Sequence, residues 1–421
     1  MTEELRNLLP FRCSDLQQDY LKCPVTAAEI KATLFTMPLN KSPGPDGYSV
    51  EFIRASWDTV GEDIINDVSE FFRNGRLLKN MNTTAIPLTP KKPQACSLGD
   101  YRPISCCNIV YKLISKIVAN RLKPIMSKCV SPNQAAFLKG RSLGENVVIA
   151  TELIKDYNKF TCHKSAMLKM VIRKAFDTVC WDFVIKVLEA QQFPAMFITW
   201  ITECISSPRF SVAINGELAG FFEGKKGLRQ GDSISPYLFI MLMEVLSLLL
   251  NKAEAEGAFR LHSLFTSPKL THPLFADDLL VFSDGSRAST AGIKSVMRNF
   301  KDWSGLDTNE SKSEIFYGGY TDIQASVLSD LSGFKRGEFP TRYLGLPLSP
   351  KRISAATLQP FVDRITAKLH SWTVKVLSFA GKVQMITSVI YVCAAKMVLC
   401  QIGFSMFWFP MEEQHYFSLW S

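Results

Sequence analysis

The spacing of hydrophobic positions changes along the chain, and with it the type of secondary structure that the sequence predicts. Apolar residues recur at three- and four-residue steps from 110 to 126 and from 183 to 190, which is typical of helices with one face against a core. The apolar runs from 84 to 89, 167 to 172 and 209 to 214 are of strand length. This mixture of helices and short strands predicts an α+β fold.

Two adjacent aspartates interrupt the strand-like run from Leu274 to Phe282. The apolar stretches on either side are too short for helices, so we expect a tight hairpin with Asp277 and Asp278 at its tip. Neighbouring carboxylates repel each other close to a core, and a hard divalent cation such as Mg²⁺ would remove that repulsion. A polar turn without a ligand is the alternative for this short segment taken by itself.

The excess of basic residues is concentrated in two segments. The chain of 421 residues has 48 Lys and Arg against 39 Asp and Glu, a formal net charge of +9. Residues 91 to 145 carry ten basic and two acidic side chains, a net +8, and residues 350 to 400 carry seven basic side chains against Asp363. Two basic regions around a less basic centre suggest a groove for a polyanion, and two solvated basic faces are the alternative.

The composition is that of an ordered protein kept in a reducing compartment. Hydrophobic residues make up 47% of the chain and charged residues 21%, which excludes a disordered or fibrous class. Eleven cysteines occur without a CxxC pair, and the first residues lack the order of a signal peptide, so we expect an intracellular location, either nuclear or cytoplasmic. Proline or charged residues interrupt the longest apolar runs, so we expect no membrane segment.

A series of short sequence blocks follows in order along the chain. The blocks are KSPGPDG (41–47), DYRPIS (100–105), QAAFLKGRS (134–142), KAFDTV (174–179), GLRQGDSISP (227–236), FADD (275–278) and YLGLPL (343–348). In this order and at this spacing they resemble the reverse transcriptase of a LINE-type, non-LTR retrotransposon, with most similarity to plant elements. The resemblance implies a right-hand polymerase fold, with an N-terminal segment and fingers in 1–165, a palm in 166–348 and a helical thumb-like region in 349–421.

The reaction implied by this resemblance is RNA-directed DNA synthesis. Such an enzyme adds deoxynucleotides to a primer 3′-hydroxyl by two-metal phosphoryl transfer. The implied cofactor is Mg²⁺ or Mn²⁺, and the implied partners are an RNA template, a DNA primer and deoxynucleoside triphosphates. Asp277 and Asp278 match the metal-binding pair. Lys312 matches the lysine that protonates the leaving pyrophosphate, and a solvated surface lysine is its alternative.

Four further residues match nucleotide-binding positions of the family. Arg102 matches the residue that holds the incoming triphosphate, with a surface ion pair as the alternative. Phe176 matches the bulky side chain that excludes a ribose 2′-hydroxyl, with a core aromatic as the alternative. Gln230 and Gly231 match the turn that lines the nucleotide pocket and the template strand, with an ordinary turn as the alternative. The primer-grip hairpin, which could equally serve packing, is implied at Tyr343, Leu344 and Gly345.

One residue departs from the family pattern at a chemically decisive position. Family members carry an aspartate six residues before the last Asp of the KAFD block, and here Val171 takes its place. That aspartate is implied to be the third carboxylate of the metal site, so Val171 marks a lost ligand. Asp177 is a poor substitute because it lies beyond Phe176, where the strand has turned into the next helix. We therefore expect catalysis to fall by several orders of magnitude, with about 1.4 kcal/mol for each factor of ten.

The extent of the resemblance gives three interpretations of the chain. Family members carry an endonuclease domain before this region, and residues 1–24 are too few to supply one, so we expect a truncated copy. An active reverse transcriptase is the interpretation from the family. A nucleic-acid-binding module without polymerase activity is consistent with Val171 and the basic segments, and the product of a decayed gene is consistent with the truncation.

Overall fold

The computed structural model describes residues 1–141, 143–159, 163–262 and 272–351, and the isolated positions 359, 363, 366 and 367. The thumb-like region predicted from residue 349, with the second basic segment, therefore lies almost entirely outside the described residues. The bounds of the elements below refer to the described part of the chain.

Several helices begin at a polar residue that caps the first turn. Ser14, Thr26, Ser49, Ser286 and Thr321 each accept a hydrogen bond from a backbone N–H three residues further on. The described helices are α1 (Thr2–Leu8), α2 (Asp15–Lys22), α3 (Ala27–Thr36), α4 (Val50–Ala55), α5 (Trp57–Asn74), α6 (Ile109–Cys129), α7 (Leu143–Ile154), α8 (Ala175–Thr178), α9 (Trp181–Ala190), α10 (Ala195–Ser206), α11 (Ser235–Ala255), α12 (Arg287–Ser304) and α13 (Asp322–Ser332).

The described strands form two five-stranded sheets and a separate hairpin. The strands are β1 (Thr83–Pro90), β2 (Tyr101–Pro103), β3 (Cys106–Cys107), β4 (Ser165–Val171), β5 (Arg209–Ile214), β6 (Glu217–Glu223), β7 (Leu274–Phe275), β8 (Asp278–Ser283), β9 (Glu314–Gly318), β10 (Lys335–Arg336), β11 (Thr341–Tyr343) and β12 (Leu346–Leu348). The first sheet has the order β2-β1-β5-β6, with β3 also on β1. The second, here called the central sheet, has the order β10-β9-β4-β8-β7, and β11 pairs with β12.

Helix α11 lies at the centre of the main hydrophobic core. Fourteen of its residues are buried, and it packs against α12, α6 and α9. A helix that is apolar on nearly all sides is stable in water only when other elements enclose it. Glu244 and Lys252 interrupt the apolar sequence of α11. None of the described helices is long and apolar enough to cross a bilayer.

The elements predicted from the hydrophobic pattern are confirmed within the described residues. The helical spacing at 110–126 and 183–190 falls in α6 and α9, and the strand-like runs at 84–89, 167–172 and 209–214 coincide with β1, β4 and β5 to within two residues. Helices and strands are mixed along the chain, so the α+β class is confirmed. The boundaries between fingers, palm and thumb remain predictions.

Candidate active site

The predicted aspartate hairpin forms at the edge of the central sheet. Strands β7 and β8 pair with Phe275 opposite Asp278, which leaves Ala276 and Asp277 as a two-residue turn. Ala276 adopts a left-handed backbone conformation with a φ of 53°. The tight hairpin is therefore confirmed, with the refinement that Asp277 lies in the turn and Asp278 is the first residue of β8.

The register of the central sheet places Val171 directly opposite Asp278. Strand β4 pairs antiparallel with β8 over six residue pairs, ending at Val171 and Asp278. Residues directly opposite each other in a sheet project from the same face, with Cβ atoms roughly 4.5 to 5.5 Å apart. Val171 stands where the family resemblance implies a third carboxylate. It therefore lies beside the aspartate pair, with an isopropyl group in place of that carboxylate.

Burial and mutual repulsion disturb the ionisation of the two aspartates. Burial, and next the neighbouring Asp277, raise the pKa of Asp278 to about 6, against a lowering by the Lys169 ammonium. Burial also raises the pKa of Asp277, and Lys312 is the cation that lowers it. Both carboxylates are partly exposed. Such a pair, in which two negative charges are costly, gains by binding a cation.

The two lysines approach the aspartates from different elements. Lys169 is two residues before Val171 on β4 and shares its face of the sheet. Its Nζ lies 3.8 Å from Glu314 Oε2 and 3.3 Å from Thr341 Oγ1. Lys312 is exposed at the end of a 3₁₀ turn, Glu310–Lys312, just before β9. Lys312 is therefore near enough to Asp277 to lower its pKa, and its role in proton transfer stays a prediction.

The segment before β9 is joined to the end of β4 by backbone hydrogen bonds. The Asn309 N–H donates to the Val171 carbonyl at 2.7 Å, and the Val171 N–H donates to Ser313 Oγ at 3.4 Å. These contacts fix the backbone on both sides of the Val171 side chain. Among the described residues, no group of three or more His, Cys, Asp or Glu side chains is placed to hold a metal ion.

Three of the four predicted nucleotide-binding residues, Phe176, Gln230 and Gly231, come together around the loop that precedes α11. The Leu228 N–H donates to the Phe176 carbonyl at 2.6 Å, and the Ser105 N–H donates to the Gln230 carbonyl at 2.9 Å. Gly231 is exposed and has a φ of 96°, a conformation that favours glycine. The loop thus joins the start of α8 to the segment that follows β2.

Arg102 and Phe176 occupy different environments. Arg102 lies on β2 opposite Thr89, and it is exposed, as a side chain that binds phosphate must be. The Phe176 ring is partly buried and stacks on Phe239 of α11, with a centroid separation of 4.9 Å. Phe176 therefore packs against the core, as its alternative has it, and remains partly exposed.

Asp177, the candidate replacement for the lost ligand, is engaged in the loop. Its Oδ1 accepts a hydrogen bond from Gln230 Nε2 at 3.3 Å. Burial raises the pKa of Asp177, and Gln230, Lys174 and Lys91 lower it. The groups that act on Asp177 thus come from the loop before α11, from the start of α8 and from the end of β1.

A buried charged cluster supports the loop, and the sequence reasoning missed it. Arg229 donates to Asn82 Oδ1 at 2.6 Å and to the Cys204 carbonyl at 2.5 Å, and its guanidinium lies 3.7 Å from the centroid of the Tyr111 ring. Asp232 accepts from the Tyr111 hydroxyl at 2.7 Å. Arg229 and Asp232 therefore fix the loop on either side of Gln230 and Gly231. The signal was present, because two opposite charges flank the Gln-Gly pair immediately before an apolar helix.

The predicted primer-grip residues form the tip of the β11–β12 hairpin. Tyr343 pairs with Leu346, and Leu344 and Gly345 make the turn with φ values of 51° and 82°. The Tyr343 ring is only 2% exposed and belongs to a small hydrophobic cluster with Leu346 and Leu348. Burial, and next the charge of Asp278, raise the pKa of Tyr343. The hairpin is therefore close to the aspartate pair, and Tyr343 also serves packing.

Two basic residues of the first basic segment are engaged by the fold itself. Arg121 is 5% exposed and pairs with Glu29 at 2.7 Å. Arg141 donates to the backbone carbonyls of Val130 and Gln134, each at 2.7 Å. The local excess of +8 therefore overstates the charge that residues 91–145 present to a ligand.

The geometry defines a class of site: paired carboxylates on a sheet hairpin, with a lysine and a glycine-containing loop nearby. Residues 89–348 match the family model described as reverse transcriptase (RNA-dependent DNA polymerase). This match covers more than half of the chain, so the protein belongs to the reverse transcriptase family, whose members are RNA-directed DNA polymerases.

Relatives of this chain include proteins of transposable elements. It is 28% identical over 407 residues to a Xenopus laevis protein named transposon TX1 uncharacterized 149 kDa protein, covering 92% of this chain and 29% of that protein. It is 25% identical over 264 residues to a retrovirus-related Pol polyprotein from the retrotransposable element R2DM of Drosophila melanogaster, covering 62% and 23%. The chain thus spans about a quarter of the length of these relatives. The predicted resemblance to reverse transcriptases of non-LTR retrotransposons is confirmed.

A shorter and closer similarity concerns a plant protein. Over 66 residues the chain is 47% identical to an uncharacterized mitochondrial protein of Arabidopsis thaliana, covering 15% of this chain and 54% of that protein.

Proposed function

We propose that this chain is the polymerase domain of a plant LINE-type element and that it holds an RNA template, a DNA primer and a deoxynucleoside triphosphate. The observation that carries the proposal is the aspartate hairpin at the start of β8, where Lys312 and the Tyr343 hairpin act electrostatically on the aspartates. The plant assignment is supported by the 47% identical Arabidopsis stretch. Fingers in 1–165, a palm in 166–348 and a thumb in 349–421 are part of the proposal.

Each of five described residues has its own role in nucleotide addition. Arg102 binds phosphate oxygens of the incoming triphosphate, for which a guanidinium fork is suited. Gly231 lets the template strand approach the backbone closely, and Gln230 orients the loop through Asp177. Phe176 closes the pocket against a 2′-hydroxyl. Lys312 delivers a proton to the departing pyrophosphate.

The donor set is suited to a divalent cation. Asp277 and Asp278 supply two carboxylates whose pKa values are raised, so that a cation offsets their repulsion, and Mg²⁺ commonly takes one or two carboxylates together with substrate phosphates. When bound, Mg²⁺ or Mn²⁺ would stabilise the charge that develops during phosphoryl transfer.

We further propose that Val171 impairs catalysis in this copy. Val171 is opposite Asp278 and has no lone pair, so the site holds two carboxylates where the family pattern has three. The second candidate function is an inactive remnant that at most binds nucleic acid, and the register at Val171 is the observation that favours it.

Primer extension on a poly(rA)/oligo(dT) duplex separates these functions. The protein, Val171→Asp and Val171→Asn are compared with Mg²⁺ and with Mn²⁺. Val171→Asn is the matched control because its amide has nearly the shape of aspartate without the charge. We expect extension by Val171→Asp that exceeds the other two by at least about a hundredfold, equivalent to roughly 2.7 kcal/mol. Equal extension by all three would refute impairment at Val171.

If none of the three proteins extends the primer, nucleic-acid binding without catalysis is the remaining function. Filter binding of the duplex at two salt concentrations tests it. Phosphate contacts make the affinity fall steeply with salt, and an Arg102→Ala variant should reduce that dependence. A folded protein without salt-dependent affinity for the duplex would refute both functions.

A further inference from the structure

A buried glutamine outside the aspartate hairpin is hydrogen-bonded to its turn. Gln134 is 0% exposed. Its Oε1 accepts from the N–H groups of Ala276 and Ala136, each at 2.9 Å, and its Nε2 lies 3.5 Å from the Ala276 carbonyl. One side chain therefore contacts both backbone polar groups of the residue that precedes Asp277.

The residue held in this way has an unfavourable backbone conformation. Ala276 has a φ of 53°, and a residue with a Cβ atom rarely adopts the left-handed region without support from its surroundings. A change in the Ala276 conformation would redirect the Asp277 side chain and move the start of β8 at Asp278. The hydrogen bonds from Gln134 supply the support at this point.

The segment that contains Gln134 is itself fixed against the hairpin. The Leu274 N–H donates to the Asn133 carbonyl at 2.8 Å, and the Ala135 N–H donates to the Leu274 carbonyl at 3.0 Å. Arg141 donates to the Gln134 carbonyl at 2.7 Å. The backbone around Gln134 thus forms a short parallel bridge to β7, which keeps the side chain in register with Ala276.

We propose that Gln134 is a positioning residue that holds the Ala276–Asp277 turn so that both aspartates present their carboxylates to a metal ion. The part of this proposal that concerns the metal ion rests on the proposed function. The part that concerns the turn rests on the hydrogen bonds between Gln134 and Ala276. Gln134 touches neither metal nor substrate in this role. Its contribution is to select one conformation of the turn before any ligand binds.

The first measurement is Mn²⁺ binding followed by electron paramagnetic resonance, in the Val171→Asp background. Gln134→Met keeps the length and burial of the side chain and removes its hydrogen bonds. We expect binding to weaken about tenfold, which corresponds to about 1.4 kcal/mol and is within the cost of a buried unsatisfied donor. Gln191→Met is the matched control, because Gln191 is equally buried at the end of α9. It should leave Mn²⁺ binding unchanged.

A second variant distinguishes positioning from general damage. Glycine adopts the left-handed region without a Cβ penalty, so Ala276→Gly combined with Gln134→Met should recover most of the lost Mn²⁺ affinity. Circular dichroism verifies that each variant is folded. Mn²⁺ binding by a folded Gln134→Met protein that is as tight as in its parent would overturn the proposal.

Amide exchange separates failure of this proposal from failure of the metal function. The Ala276 amide donates to Gln134, so its hydrogen exchange should be slow in the unaltered chain. The exchange rate at Ala276 should rise at least tenfold in Gln134→Met and stay unchanged in Gln191→Met. If the parent protein binds no Mn²⁺, the proposed metal site is refuted, while this exchange pattern still supports the role of Gln134 in holding the Ala276–Asp277 turn. An unchanged exchange rate at Ala276 in Gln134→Met would overturn the role of Gln134, whatever the result of the Mn²⁺ measurement.

Discussion

Replacing Val171 by aspartate should destabilise the metal-free protein, and this effect tests the geometry of the site independently of catalysis. The new carboxylate would project from the same face as Asp278, directly across from it. The pKa of Asp278 is already raised to about 6 by burial and by Asp277. A third carboxylate adds charge to a place where two charges are costly.

The magnitude follows from the separation of the two side chains. At roughly 5 Å, the distance expected for directly opposed residues, and an effective dielectric constant of about 20, two unit charges repel by about 3 kcal/mol. Carboxyl groups with a raised folded pKa contribute stability that is complete below their unfolded value and is lost as the pH rises through the folded value. The penalty of Val171→Asp should therefore be only partial at pH 5, between the unfolded Asp value of about 3.9 and the Asp278 value of about 6, and complete at pH 8.

Urea unfolding followed by circular dichroism measures this penalty. Val171→Asp and Val171→Asn are compared at pH 5 and pH 8 in a chelating buffer, so that the difference reports charge and not shape. Mg²⁺ is then added, and at about ten times its dissociation constant it should return about 1.4 kcal/mol to Val171→Asp. The asparagine variant should gain less.

Two results would refute this reasoning. Equal stability of the two variants at pH 8 without metal would mean that residue 171 does not face Asp278, contrary to the register. A penalty that is the same at pH 5 and pH 8 would mean that its origin is not ionisation.

Three further perturbations are expected to change the stability in defined ways, each measurable by urea unfolding. Burial raises the pKa of Glu244 to about 7, so the parent should lose stability between about pH 4.5 and pH 8, and Glu244→Gln should remove most of that loss, about 3 kcal/mol. Arg229→Met should cost about 3 to 5 kcal/mol because Asp232 loses its buried counter-charge, whereas Arg336→Met, at an exposed pair, should cost less than about 1 kcal/mol. Gly227→Ala should cost at least about 2 kcal/mol, since φ is 93° and the new Cβ would lie 2.8 Å from the Asp177 carbonyl oxygen; no effect would contradict the loop geometry.

The parts of the fold that the sequence predicts well are those in which a local pattern is sufficient. The run around Asp277 and Asp278 predicts a hairpin because two short apolar stretches flank two polar residues, and the register follows from which face is buried. The run at 167–172 predicts β4 for the same reason. The KAFD block correctly predicts that Asp177 lies after the strand, and its contact with Gln230 shows where it is engaged.

Contacts between distant segments could not be predicted in this way. Gln134 and Ala276 are separated by 142 residues, and no local periodicity relates them. Arg121 and Arg141 illustrate the same limit for charge, because a sequence shows a basic residue but not the backbone carbonyls it binds. Charge counted along a segment therefore predicts a groove less well than charge counted on the folded surface.

Under the proposed function, the replacement at residue 171 affects the fold and the metal site in opposite directions. Valine has a higher preference for a half-buried strand than aspartate, and it removes a charge from the neighbourhood of Asp278. The elements that hold the site in place, namely the β4–β8 register, the Gln134 contacts and the Arg229 cluster, all lie outside the set of metal ligands. The loss of a ligand therefore gives no reason for the scaffold to unfold. Under the proposed function, this chain keeps the hairpin geometry of a reverse transcriptase while Val171 lowers its metal affinity, and a single aspartate at 171 is the change most directly suited to restore it.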